Sequence, residues 1–261
     1  MVRILSALVL MPVFGAAIWF LAPLQLLLVA LGVLVVAFVE YSRLADRLGA
    51  RLPRLVAGAA AAAACVGAAW PGVSAEIPMV AALIALAGQA IGDRLLGQTA
   101  FHRLGASLLG VVWLGLPLGM LVALHREAGR EAVLPLLAVV IASDTAQLCV
   151  GKLFGRHRLA PTISPNKSVE GAVGGFVGGI GVMVPVGRLA LPDIGGWWLA
   201  GLGAVVVASG MLGDLFESLL KRSAGVKDSS GLIPGHGGVL DRLDALLFAA
   251  PAFWIAIRYL R

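Results

Sequence analysis

Apolar runs follow one another along nearly the whole chain, many of them close to the ~20 residues that a helix needs to cross a bilayer. That repetition constrains the fold more than any other feature. The runs fall at residues 4–22, 26–41, 55–70, 77–92, 104–124, 131–153, 171–189, from Trp197 into Asp214, and 239–259. We therefore expect an all-α fold, a polytopic integral membrane protein with about nine transmembrane helices. Only 13% of residues are charged, where a soluble domain carries about a quarter. The first run follows Arg3 and exceeds the roughly 7–15 apolar residues of a signal peptide, so it reads as a span. The alanine-rich third run suits close helix packing, as do the glycine pairs Gly174/Gly178 and Gly175/Gly179.

The basic residues are distributed unevenly over this topology. Arg43, Arg47, Arg51 and Arg54 face one acid, Asp46, in the loop after the second run. With Arg3, Arg94, Arg103, Lys152, Arg156, Arg158, Lys167, Lys221, Arg222, Lys227 and Arg242, they put 15 of the 20 basic residues on one side of a nine-span chain. The positive-inside rule makes that side cytoplasmic, with the N-terminus inside and the C-terminus outside. The net charge of +6 then reflects loops meeting anionic lipid heads, and no nucleic-acid-binding motif is present. Cys65 and Cys149 lie inside apolar runs, so they read as small packing residues and not as a disulfide framework. Glu40 lies near the end of the second run, where it pairs with a loop arginine or faces a polar interior.

Two segments carry chemistry. In the first, Asp214, Glu217, Ser218, Lys221 and Arg222 recur at helical spacing, which puts them on one face. A Gly/Ser-rich loop follows with Lys227 and Asp228, and Asp241 and Asp244 stand one turn apart beyond it. Carboxylates from neighbouring helices can hold a hard cation such as Mg²⁺. Glycines ahead of a helix let backbone N–H groups approach an anion. An acid as deep in an apolar run as Asp214 or Asp144 is a functional candidate by default. The second segment, residues 151–171, carries Lys152, Arg156, Arg158 and Lys167 against Glu170, a balance suited to a polyphosphate. Within it Ser164-Pro165-Asn166 is expected to form a turn.

The run Ser218-Leu-Leu-Lys221-Arg222, then Lys227-Asp228, then Pro234-Gly-His236-Gly-Gly-Val-Leu-Asp241-Arg242-Leu-Asp244 resembles the signature of phosphatidate cytidylyltransferases (CDP-diacylglycerol synthases) over about 27 residues. Ser164-Pro-Asn-Lys167-Ser-Val-Glu170-Gly is similar to a second segment of that family, with Asn166 and Ser168 where the family carries Lys and Thr. The resemblance implies transfer of the cytidylyl group of CTP to phosphatidate, giving CDP-diacylglycerol and pyrophosphate. It implies Mg²⁺, with or without a monovalent cation, held by Asp214 and Asp241, with Asp244 and Asp144 as further ligands. Asp214, Lys221, Arg222 and Asp241 would be catalytic. Ser164, Lys167, Ser218, Lys227, His236 and Arg242 would bind substrate, His236 by donating to a phosphate or by ordering the Gly-rich turn.

Residues 1–130 then read as a lipid-facing scaffold, and 131–261 as the catalytic bundle with both motif loops. The expected setting is the cell inner (cytoplasmic) membrane, multi-pass, with the site facing the cytoplasm and membrane lipids as neighbours. A homodimer is compatible with this reading. Three alternatives stay open: a cytidylyltransferase for another lipid phosphate such as an isoprenoid ether lipid, a transporter using the acids as an ion path, and an inactive relative.

Overall fold

The computed structural model describes residues 13–260 apart from 71, 73, 234 and 236. Residues 4–12 of the expected span at 4–22 therefore lie outside the described residues; 13–20 are helical. Eight further helices follow: α1 (Pro23–Arg47), α2 (Arg54–Ala69), α3 (Glu76–Gly92), α4 (Gly97–Ala128), α5 (Arg130–Phe154), α6 (Val169–Ala190), α7 (Gly196–Ser223) and α8 (Leu240–Leu260). Helices dominate because a chain in hydrocarbon must satisfy its backbone N–H and C=O groups internally. Six of them, α1 and α4 to α8, are long and apolar enough to span a bilayer, while α2 and α3 are shorter. The chain is thus an all-α, multi-pass membrane protein.

Two strands, β1 (Arg158–Ala160) and β2 (Ser164–Ser168), form an antiparallel hairpin inside the expected polar loop. Its turn falls at residues 160–163, where Ile163 N donates to Ala160 O at 3.2 Å. The turn expected at Ser164-Pro165-Asn166 is therefore misplaced by one proline. Pro161 follows Ala160 and pre-sets the φ that the second position of a turn needs, whereas Pro165 lies within β2, on a hairpin open at its edges.

Two compact units divide the chain: one holds residues up to Ala123 together with Leu220–Leu243, the other Leu124–Leu219 with Asp244–Arg261. In the first, the alanine face of α2 meets α4 at backbone distance. A Cβ on Gly115 would stand 2.5 Å from Ala61 O, and one on Gly119 2.2 Å from Cys65 O. The α-helical ladder of α4 widens to a π turn over Val111–Gly115 at this contact. Tyr41 of α1 donates to Ala106 O at 2.6 Å and meets the Trp113 ring edge-on at 5.9 Å. Cys65 is fully buried here, as a packing residue should be, but Cys149 is exposed and does not pack as expected.

In the second unit the glycine stripe of α6 seats it on its neighbours. Cβ atoms on Gly174, Gly175 and Gly178 would meet Val150, Gln147 and Ala146 of α5 at 2.5, 2.5 and 2.8 Å. On Gly179 a Cβ would lie 2.3 Å from Val207 Cγ2 on α7. Gly181, on the same helix, meets nothing within 4 Å. Overpacking of this kind costs about 1–3 kcal/mol. Gly179→Leu should accordingly lower the thermal unfolding midpoint in detergent, while Gly181→Leu leaves it near that of the parent.

Candidate functional site

The polar residues singled out in the sequence gather into two clusters, one in each unit. The first is built from the end of α7, the loop after it, the start of α8 and Glu40 of α1. Leu240 opens α8 and places Asp241 in its first turn, 5% exposed. A carboxylate held from water needs donors to offset its lost hydration, and Asp241 has four. Lys221 Nζ stands 2.5 Å from Oδ1. Ser229 N, Ser229 Oγ and Gly238 N donate to Oδ2 at 2.9, 2.7 and 2.7 Å. The bond from Gly238 resembles a capping box, in which an acid in the first turn reaches back to an N–H ahead of the helix.

Gly238 has a second role. A Cβ there would lie 2.2 Å from Ser229 Oγ and 2.4 and 2.5 Å from the two Glu40 oxygens. No other residue type fits between the two carboxylates. Gly237 adopts φ of 80°, which favours glycine for backbone reasons. The Gly-Gly step thus serves close carboxylate approach.

Around this buried knot the charged heads are open. Arg222, Lys227, Asp228 and Arg242 are exposed, and Arg222 Nη1 donates to Val226 O at 3.3 Å. Among the described residues Arg242 forms no ion pair with Asp228. His236 lies outside the described residues. Exposed cations can meet an anion at little desolvation cost, with Arg suited to bidentate phosphate contact.

The second cluster is carried by β2 and α7. Lys167 Nζ stands 2.5 Å from Asp214 Oδ2, with the side chains 19% and 33% exposed. Ser218 Oγ, one turn along α7, lies 3.4 Å from Asp214 Oδ1. The hairpin that presents Lys167 is fixed at its base. Glu170 accepts from Arg156 N at 3.0 Å and His157 N at 3.2 Å, and its Oε1 is 2.6 Å from His157 Nδ1. Ser168 Oγ accepts from Gly171 N at 3.1 Å and so caps α6. Glu170 and Ser168 are thereby structural ties that aim Lys167.

Asp144 is exposed on α5, 3.4 Å from Gln147 Nε2. Asp244 Oδ1 accepts from Ala245 N at 2.8 Å. Ser164 is half-buried in β2. Glu217 of α7 is fully buried. Among the described residues no three His, Cys, Asp or Glu side chains gather at metal-binding spacing. Sequence reasoning missed Ser229 and Ser230 and left Glu40 between two alternatives; the structure favours the polar interior. An acid at the end of an apolar run was the only available signal.

A model of the Cytidylyltransferase family matches residues 1–260. The phosphatidate cytidylyltransferase of Staphylococcus aureus is 35% identical over 180 residues, covering 67% of this chain and 68% of that protein. That of Helicobacter pylori is 41% identical over 156 residues, 59% of this chain and 56% of the relative. That of Mycobacterium bovis is 43% identical over 136 residues, 52% and 44% respectively.

Removing a partner from a buried ion pair costs about 3–5 kcal/mol. Lys221→Met strands Asp241 and should lower the unfolding midpoint sharply. Adding Asp241→Asn should return part of that loss, read as a non-additive double-mutant cycle by thermal unfolding in detergent.

Proposed function

Because the chain belongs to the cytidylyltransferase family, we infer that it transfers the cytidylyl group of CTP to phosphatidate in phospholipid biosynthesis. The observation that carries this reading is the pairing of the family signature with a part-exposed Lys167–Asp214 couple on a clamped hairpin. An oxygen of the lipid phosphate forms a bond to the α-phosphorus of CTP. The α–β phosphoanhydride bond breaks, and pyrophosphate leaves with the electron pair. The nucleophile is already anionic, so no strong general base is needed. The barrier lies in bringing two polyanions together and in charge growing on the leaving group, which fixed cations and N–H dipoles offset.

Lys167 suits phosphate binding because its ammonium is part-exposed and, among the described residues, paired with Asp214. Arg222, Lys227 and Arg242 present exposed cations from the signature loop and the start of α8. Ser164, Ser218 and His236 complete the proposed contacts. Mg²⁺ fits Asp214 best: that carboxylate is part-exposed and, among the described residues, its Oδ1 meets a hydroxyl at 3.4 Å. Asp241 fits less openly, since Lys221 and three further donors already engage it; an ion would have to displace Lys221. Asp244 and Asp144 remain in the proposed set with Asp214 and Asp241. A bound divalent ion would supply positive charge to the phosphate oxygens.

The finer setting follows the same reading: about nine spans in the cell inner membrane, the site on the cytoplasmic side where nucleotide is available, lipid entering from the bilayer. The transporter alternative needs acids spread through the bilayer depth, whereas the signature's acids and bases are concentrated around one loop.

Asp214→Ala should reduce CDP-diacylglycerol formation to background while the protein still accumulates in membranes. Purified protein with labelled CTP, Mg²⁺ and phosphatidate measures this. Omitting Mg²⁺ tests the ion, and faster turnover with an isoprenoid ether lipid phosphate than with phosphatidate would replace the substrate.

A further inference from the structure

Glu40 lies near the cytoplasm-assigned end of α1, far along the chain from every signature residue, yet it is 2% exposed and faces the signature loop. Three donors converge on its carboxylate, and a further hydroxyl lies beside it. Ser230 Oγ donates at 2.6 Å, Leu240 N at 2.8 Å, Val239 N at 3.1 Å, and Ser229 Oγ lies at 3.1 Å. Val239 and Leu240 supply N–H groups that the first turn of α8 leaves without intrahelical partners. Glu40 is therefore an N-terminal cap for α8 brought in from 199 and 200 residues away.

A local Ser or Asp would cap the helix more simply. A distant cap does something that a local one does not: it fixes the loop against α1 as well as the helix against the loop. Ser229 is the shared link, since its Oγ also stands 2.7 Å from Asp241 Oδ2. The single hydroxyl proton serves one carboxylate at a time, the shorter contact being to Asp241. Glu40 and Asp241 together thus grip both ends of residues 229–240, with Gly238 wedged against both acids. The segment that precedes and follows this grip carries Lys227 and Arg242, the exposed cations assigned above to phosphate.

We propose that Glu40 is a positioning residue for cytidylyl transfer, holding the signature loop so that its cations meet the substrate phosphates. It touches no substrate. Its loss leaves the cations present but unaimed. Small misplacements of this kind cost catalysis heavily, because orientation supplies a large part of the rate gain.

The test uses the full-length protein in detergent micelles with Mg²⁺, CTP and phosphatidate. Glu40→Gln keeps the size of the side chain and removes one acceptor oxygen. It should lower kcat at least tenfold and speed amide hydrogen exchange at Val239 and Leu240 by a similar factor, with exchange across α2 unchanged. A purely structural role would loosen α2 as well, and that outcome overturns the proposal. So does a Glu40→Gln enzyme within twofold of the parent kcat. Should Glu40→Gln not fold, Ser230→Ala removes the 2.6 Å bond to Glu40 and the 3.2 Å bond that Ser230 Oγ accepts from Leu232 N, from a half-buried site. It should give a kcat three- to tenfold lower with faster exchange at the same two amides, and parent-like values for both sink the idea.

Discussion

A carboxylate kept from water has to be met by donors, and that requirement organises the polar part of this protein. Asp241 and Glu40 are both nearly fully buried, and each gathers backbone N–H groups and serine hydroxyls. Asp214 is more open and needs only Lys167 and a distant hydroxyl. The contrast sorts the acids by role. Saturated carboxylates hold backbone in place, and an unsaturated one keeps capacity for an ion or a rearranging lysine. Charge type alone, which is what a sequence motif records, does not separate these cases.

The apolar helices were legible because their signal is dense and periodic. Residues 131–153 and 171–189 fall within one to two residues of α5 and α6, and the glycine spacing in 174–179 becomes a real contact with α5 and α7. The hairpin was not legible. Its strands have three and five residues, too short for alternation to register, and Pro165 inside β2 argues locally for a turn. The sequence did place Lys167 and Asp214 among the same candidates, but nothing in it says that they touch. Glu40 shows the sharper limit. Its donors lie 189 to 200 residues away, so no local pattern could connect them.

The compact units give that limit a structural form. Leu220–Leu243, which holds most of the signature, clusters with the N-terminal helices and not with α5 and α6. Helices that look like a scaffold by composition can therefore bear directly on the signature loop through a single acid. Such a contact needs an anchoring helix that does not shift. Tyr41, next to Glu40, supplies one tie: it bonds to Ala106 and packs on Trp113, on the same helix as Gly115 and Gly119, which seat α4 against α2.

The same logic bears on the two departures from the family pattern. Ser168 stands where the family carries Thr, and here its hydroxyl caps α6, a task that either residue performs. Its neighbours are tight: Cβ atoms on Gly151, Gly155 or Gly171 would come within 3.1 Å of Ser168 Oγ. The smaller serine therefore matches a crowded corner without giving up the cap. Asn166 points outward on β2, two residues before that cap, and leaves Lys167 to meet Asp214. Asn166 in place of Lys leaves one cation fewer on the hairpin, while the Lys167–Asp214 couple and its clamp are kept.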